Sequence, residues 1–126
     1  MNQPLHPKYL DLAKLRFPIS SIASILHRIT GAFLFFSLPF LVSILSATLS
    51  HRSSFDMAYS LFTHPIVKII LWILLWAFFH HMFAGVRLLV LDTHHGLYIK
   101  QARASSFFVI FAALITALFV GGFLLW

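Results

Sequence analysis

Long apolar runs alternate with short polar stretches along this chain of 126 residues. Three of these runs, residues 29–49, 69–86 and 105–126, contain no Asp, Glu, Lys or Arg. About 20 helical residues cross a hydrocarbon core of about 30 Å, so each run is close to or above the length of a transmembrane helix. The runs are continuously apolar and do not alternate, which favours helices over a transmembrane β-barrel. The sequence therefore predicts an all-α integral membrane protein with three transmembrane helices.

Proline positions and polar flanks set the predicted helix boundaries. Pro18 and Pro65 each precede or open an apolar run, and proline is well accommodated in the first turn of a helix. The predicted helices are helix 1 at about residues 19–49, helix 2 at about 65–92 and helix 3 at about 105–126.

The remaining segments are polar and read as connections. Residues 50–63 form a short loop in this prediction, and residues 93–104 form a second one. Residues 1–18 form an N-terminal tail, in which residues 11–17 are expected to make a short interfacial helix. The tail does not resemble a secretory signal peptide, because the span that follows it is too long for a signal-peptide core. We therefore expect residues 1–126 to form one membrane-anchor domain.

Composition agrees with a membrane location. Hydrophobic residues make up 60% of the chain and charged residues 10%, and the mean hydropathy is +0.93. A soluble domain of this size could not cover that much apolar surface with polar groups. The chain has no cysteine, which excludes disulfides, thiolate metal sites and iron–sulfur ligation by this chain.

The net charge of +6 comes from residues that border the spans. They do not cluster with aromatic residues on one polar face, so the sequence does not indicate nucleic-acid binding. Cytoplasmic flanks of transmembrane helices are enriched in Lys and Arg, which predicts a cytoplasmic N-terminus. On this topology Arg52 and Lys68 lie outside, and the inner residues are Lys8, Lys14, Arg16, Arg28, Arg87, Lys100 and Arg103.

Polar residues with chemical potential stand where helix 1 begins. Ser24, His27 and Arg28 are spaced i, i+3 and i+4, which places them on one face of a helix. Ionisable residues at membrane depth are costly and usually face a partner or a cavity, so these are candidates for function.

Helix 2 carries a second candidate stripe near its cytoplasmic end. His81, Gly85, Leu88 and Asp92 are spaced i, i+4, i+7 and i+11 and therefore share one face. An imidazole followed one turn later by glycine suits a flat macrocycle such as haem, because the nitrogen can bind iron and the glycine leaves room for the ring. His80 points about 100° away from this stripe.

Simpler interpretations of these residues remain open. His81 could hydrogen-bond to a neighbouring helix, and Arg28 could be an interfacial anchor that reaches toward the headgroups. Ser24 could donate back to its own helix, and His80 could be a packing or lipid-boundary residue.

The two motifs resemble the signatures of the cytochrome b556 subunits of succinate dehydrogenase. The first is Ser24-Ile25-Leu26-His27-Arg28-Ile29-Thr30-Gly31, and the second is His81-Met82-Phe83-Ala84-Gly85-Val86-Arg87 with Asp92 beyond. The sequence departs from that pattern at Gln3, where many members have Arg, and at Leu88, where His or Phe is frequent.

The resemblance implies a role for each matching residue. His81 would be one axial ligand of a haem b whose other axial histidine comes from a second membrane subunit. His27 and Arg28 match positions that meet the haem propionates, and Ser24 and Arg28 match positions in a quinone pocket. Serine can donate to a quinone carbonyl, and arginine carries a permanent positive charge.

The resemblance also implies the setting. The chain would be part of a heteromeric helical bundle in the bacterial cytoplasmic membrane, with an iron–sulfur subunit and a flavoprotein subunit docked on it, and would pass electrons to ubiquinone. No activity is expected from this chain alone. The alternatives are a fumarate reductase anchor, a cofactor-free structural or assembly protein with a polar network of His27, Arg28, His81 and Asp92, and a small transporter that uses His80 or His81 as a proton relay.

Overall fold

The computed structural model describes residues 17–126 and shows four α-helices over that part of the chain, with no strand. The helices are α1 (Ile19–Ser50), α2 (Arg52–Thr63), α3 (Pro65–Asp92) and α4 (Ile99–Leu125). Three of them, α1, α3 and α4, are long and apolar enough to cross a membrane. The all-α class and the three spans predicted from the sequence are therefore confirmed.

Two boundaries differ from the prediction. Residues 52–63, expected to be a loop, form the helix α2, whose first turn carries an exposed Arg52–Asp56 ion pair with a nitrogen-to-oxygen distance of 3.4 Å. The last long helix begins at Ile99, six residues before the expected start near residue 105. Residues 99–104 mix the polar residues Lys100, Gln101 and Arg103 with Ile99 and two alanines, and most of them are good helix formers, so α4 begins outside the apolar run. The predicted tail and its interfacial helix lie outside the described residues, apart from residues 17 and 18.

Proline and histidine define the starts of two spanning helices. The Pro18 carbonyl accepts hydrogen bonds from the backbone N–H groups of Ser21 and Ile22, at 2.9 and 3.3 Å. His64 caps α3 through its side chain, which accepts from the Ile66 N–H at 3.3 Å, and Pro65 occupies the first helical position. Both starts satisfy backbone donors that a helix leaves unpaired.

The helices α3 and α4 run antiparallel. Arg87 contacts Ser105 at one end of the pair, and the Lys68 ammonium lies 5.0 Å from the Trp126 ring centroid at the other end. The turn between them places His94 and Gly96 at positive φ, 64° and 77°, which reverses the chain within six residues. Histidine is among the residues enriched at positive φ, and glycine adopts it without steric cost.

Small side chains bring α3 and α4 close together. The buried residues of α4 include Ser106, Ala113, Ala117 and Gly121, most of them four residues apart. A Cβ at Gly121 would lie 2.5 Å from Trp72 Cδ1 of α3. Lipid tails are as apolar as leucine, so close packing of small residues is the main attraction between membrane helices. This contact packs one face of α3 against α4, and α3 also contacts α1 and α2.

Candidate functional site

His81 of α3 packs directly on His27 of α1. The two imidazole rings are stacked, with centroids 4.3 Å apart and planes 10° from parallel. The His81 Nδ1 atom lies 3.1 Å from the backbone carbonyl oxygen of His27. A carbonyl oxygen can only accept, so Nδ1 carries the proton and donates this hydrogen bond. The lone pair of neutral His81 is then on Nε2.

Gly31 makes this arrangement possible. A Cβ at residue 31 would lie 2.7 Å from His81 Cε1, which is closer than real Cβ contacts allow, and 3.1 Å from His81 Nδ1, which is unusually tight. Only glycine lets the His81 ring rest against the α1 backbone. Gly31 belongs to the first motif, but the sequence alone gives it no role, because its partner lies 50 residues away on another helix.

His80 and His81 differ sharply in access. His80 is fully buried, and neither of its ring nitrogens has a hydrogen-bond partner among residues 17–126. His81 is half-buried, and its Nε2 is not among the enclosed, unpartnered atoms of the described chain. Within the described residues, His81 is thus the one of the two histidines with a ring nitrogen that is neither enclosed nor hydrogen-bonded. The burial of His80 supports a packing residue and excludes a lipid-boundary position.

The other residues of the stripe predicted on helix 2 lie on α3, the helix that corresponds to it. Gly85 and Leu88 are half-buried like His81, and Asp92 is exposed at the helix end. A Cβ at Gly85 would lie 3.6 Å from His27 Nε2, an ordinary van der Waals distance. The prediction assigned the space beside Gly85 to a macrocycle, and the structure places the His27 ring next to it. Gly31, and not Gly85, is the sterically demanding glycine of this site.

Ser24 and Arg28 lie one helical turn apart near the start of α1. Ser24 is half-buried, and its hydroxyl makes no hydrogen bond with residues 17–126. The hydroxyls of Ser37 and Ser43 on the same helix donate to the carbonyl four residues earlier, each at 2.7 Å. The structure thus does not show Ser24 back-bonded to its own helix. As far as residues 17–126 show, its hydroxyl is left for a ligand.

Arg28 is exposed and forms no ion pair with a described residue. Asp92, the acidic member of the predicted polar network, is also exposed and unpaired within residues 17–126. The four-residue network of the cofactor-free alternative is therefore reduced to the contact between His27 and His81. Among the described residues, nothing occupies the Arg28 guanidinium.

The donor set suits a cofactor that brings its own ligands. No group of three or more His, Cys, Asp or Glu side chains converges among residues 17–126, so these residues do not form a complete site for a free metal ion. A single histidine whose Nδ1–H donates to a backbone carbonyl is the arrangement commonly found in metal-ligating histidines. Haem needs only one or two such axial ligands from protein. His81 can be one such ligand.

The chain is similar to a family of membrane subunits. The family model described as "Succinate dehydrogenase/Fumarate reductase transmembrane subunit" matches residues 2–120. The chain is 34% identical over 121 residues to the succinate dehydrogenase cytochrome b556 subunit of Coxiella burnetii, covering 95% of this chain and 96% of that protein.

Two further relatives carry the same name. The protein from Paracoccus denitrificans is 35% identical over 105 residues, covering 83% of this chain and 78% of its own length. The protein from Rickettsia felis is 37% identical over 114 residues, covering 90% and 86%. With its three spanning helices and a family match over nearly its whole length, the chain belongs to the family of succinate dehydrogenase/fumarate reductase transmembrane subunits.

Proposed function

We propose that this chain is the haem- and quinone-binding membrane anchor subunit of a succinate dehydrogenase, with His81 as one axial ligand of haem b. The observation that carries the proposal is the state of the His81 ring. Its Nδ1–H is held by the His27 carbonyl at 3.1 Å, and its Nε2 is unbonded within the described chain and not enclosed. A second membrane subunit supplies the other axial histidine.

The surroundings of His81 fit the cofactor. Bound haem b would supply one-electron transfer. The hydrogen bond to the His27 carbonyl orients the imidazole and raises the basicity of Nε2. Arg28 follows His27 and is permanently charged, so these two residues are placed to meet the anionic propionates. The half-buried His27 side chain stacks on the ligand and limits its rotation.

Ser24 and Arg28 form this chain's part of the quinone pocket. The Ser24 hydroxyl is free to donate to a quinone carbonyl, and the Arg28 guanidinium stabilises negative charge on the reduced oxygen. Both residues lie on the first turns of α1, at the same end of the bundle as His81. Electrons reach ubiquinone here from an iron–sulfur subunit, which receives them from the flavoprotein subunit that oxidises succinate.

The names of the relatives support the direction of the reaction. The matching family includes both succinate dehydrogenase and fumarate reductase subunits, but the relatives from Coxiella, Paracoccus and Rickettsia are all named succinate dehydrogenase subunits. We therefore place the chain in the bacterial cytoplasmic membrane as an anchor for succinate oxidation, and the distribution of Lys and Arg supports a cytoplasmic N-terminus. It has no activity alone.

The haem assignment is tested by replacing His80 and His81 separately. In the complex purified from membranes, His81→Leu should abolish or shift the reduced-minus-oxidised α-band of haem b. His80→Leu is the matched control and should leave the band in place, because the His80 nitrogens are enclosed. Loss of the band only in the His80 variant would mean that His80, and not His81, is the ligand. A wild-type complex with no b-type band would favour the cofactor-free alternative.

The quinone assignment is tested by a ratio of two activities in assembled complex. Succinate oxidation by a soluble artificial acceptor should survive Ser24→Ala and Arg28→Leu, since the flavin and iron–sulfur centres are elsewhere. Quinone reduction should fall for Ser24→Ala and fall further for Arg28→Leu, since hydrogen bonds contribute about 1 kcal/mol, or about 1.5–3 when one group is charged. Haem content is measured in both variants. A quinone-to-artificial-acceptor ratio equal to wild type in both would leave these residues as an interfacial anchor.

A further inference from the structure

A groove of about 340 Å³ lies between the last turns of α3 and the first turns of α4. Its lining is mostly apolar and is interrupted by a few polar groups. The α3–α4 groove, as we name it, is lined by Phe83, Val86 and Phe108, by Arg87, and by His95 and Gln101, among others. It involves neither Ser24, His27 nor His81, so it is distinct from the site described above.

Arg87 is held rigidly in the wall of this groove. Its Nε donates to the Ser105 hydroxyl at 2.9 Å, and one terminal nitrogen donates to the Ala102 carbonyl at 3.3 Å. A guanidinium has five N–H donors, so these two hydrogen bonds leave three for another acceptor. Neither acceptor is an anion, and no carboxylate pairs with Arg87 among residues 17–126. A positive charge is thus fixed beside an apolar surface without a countercharge from the described chain.

The depth of Arg87 corresponds to the boundary between headgroups and hydrocarbon. The 28 residues of α3 give a length of about 42 Å, against about 30 Å of hydrocarbon, so about 6 Å of helix projects at each end. Arg87 lies five residues before the helix end at Asp92, or about 7.5 Å along the axis. Its charge is therefore close to the level at which lipid phosphates begin.

The charges around the headgroup end of the groove are mostly positive. Lys100 and Arg103 are exposed on the first turns of α4, and exposed His95 lines the groove itself. Asp92 is the only acidic residue between residues 57 and 126. An anion entering from the headgroup region is attracted to this end, and the apolar inner wall accepts a hydrocarbon chain.

We propose that the α3–α4 groove binds an anionic phospholipid, with its phosphate on Arg87 and an acyl chain along Phe83, Val86 and Phe108. A phosphodiester presents two oxygens to a guanidinium, and such charge-assisted hydrogen bonds are among the strongest in proteins. A net negative headgroup satisfies the surrounding cations, whereas a zwitterionic headgroup brings its own positive charge to them. The proposal does not depend on the haem or quinone assignments.

The test uses native mass spectrometry of the complex purified with its partner subunits. The complex is delipidated and supplied with phosphatidylglycerol or phosphatidylcholine of the same acyl chains. Wild type should retain phosphatidylglycerol preferentially, and Arg87→Gln should lower that retention about tenfold, because the charged contact to phosphate is removed. Arg52→Gln is the matched control, since Arg52 is an exposed cation on α2, outside the groove. Equal retention of the two lipids by wild type would overturn the proposal.

A second pair of variants covers the case in which Arg87→Gln disturbs the contact between α3 and α4. Val86→Trp fills the apolar part of the groove and leaves the Arg87 hydrogen bonds in place, so it should also lose phosphatidylglycerol. Val42→Trp is its control, because Val42 and Val86 are both 55% exposed and Val42 is not in the groove. Unchanged lipid retention in Val86→Trp would contradict the proposal. So would a photo-crosslinker at residue 86 that captures another subunit, since protein would then occupy the groove.

Discussion

His80 and His81 are neighbours in the sequence and lie in opposite environments. His80 shares the buried face of α3 with Ala77 and Ala84, and its ring nitrogens have no partner among residues 17–126. His81 lies on the face that meets α1, where one nitrogen is bonded to a carbonyl and the other is open. A rotation of about 100° per residue separates the two. The comparison shows that the chemical value of an intramembrane histidine depends on which atoms the packing leaves available.

The two faces of α3 also differ in what fills the space beside the glycine of the neighbouring helix. At the α3–α4 contact, the space beside Gly121 is already filled by Trp72. At the α1–α3 contact, the space beside Gly31 is filled by the His81 ring itself. One glycine therefore serves packing, and the other positions the proposed haem ligand.

The largest effect, a loss of haem affinity, is expected from a change that displaces the His81 ring. Gly31→Ala places a methyl group where the His81 ring now lies, so the ring must move and its hydrogen bond to the His27 carbonyl is lost. Loss of such a supporting contact typically costs about 10–100-fold in metal affinity. Haem titration of the purified complex measures this change.

Gly85→Ala is the matched control for that variant. Its added methyl group would meet only His27 Nε2, at 3.6 Å, which is an ordinary contact. Haem affinity should stay near the wild-type value. If Gly85→Ala weakened haem binding as much as Gly31→Ala, the steric assignment of the two glycines would be wrong.

An intermediate effect is expected at the α3–α4 contact. Gly121→Ala drives a methyl group against Trp72, and such overpacking costs about 1–3 kcal/mol. Gly122→Ala is the control, since nothing lies within 4 Å of an added Cβ at residue 122. The free energy of unfolding in mixed micelles should be lower for Gly121→Ala than for Gly122→Ala. Equal values would mean that α4 shifts to relieve the contact.

The smallest effect is expected at His80. Leaving polar atoms buried without partners costs about 1–3 kcal/mol, so an apolar replacement of similar volume is expected to be neutral or slightly stabilising. His80→Leu should therefore unfold at or slightly above the wild-type denaturant concentration. A clear loss of stability in the assembled complex would contradict this expectation and would mean that the packing of the imidazole outweighs its unsatisfied nitrogens.

The sequence by itself determined the fold class and the position of the three spans. Backbone groups in lipid must be satisfied within the segment, so a continuous apolar run of sufficient length has only the helical solution. Helical periodicity also placed Ser24, His27 and Arg28 on one face, and separated His81 from His80, without knowledge of any contact. These results depend on interactions between residues a few positions apart.

Only the tertiary structure decided which residues meet across helices. The His81 ring of α3 packs against Gly31 of α1, and Arg87 of α3 donates to Ser105 of α4. His80 is enclosed where the helices pack together. The helical state of residues 52–63 and 99–104 was likewise missed, because neither stretch carries the long apolar run that identifies a span. A periodic pattern reports a face of a helix, and the partner of that face is set by how the helices pack.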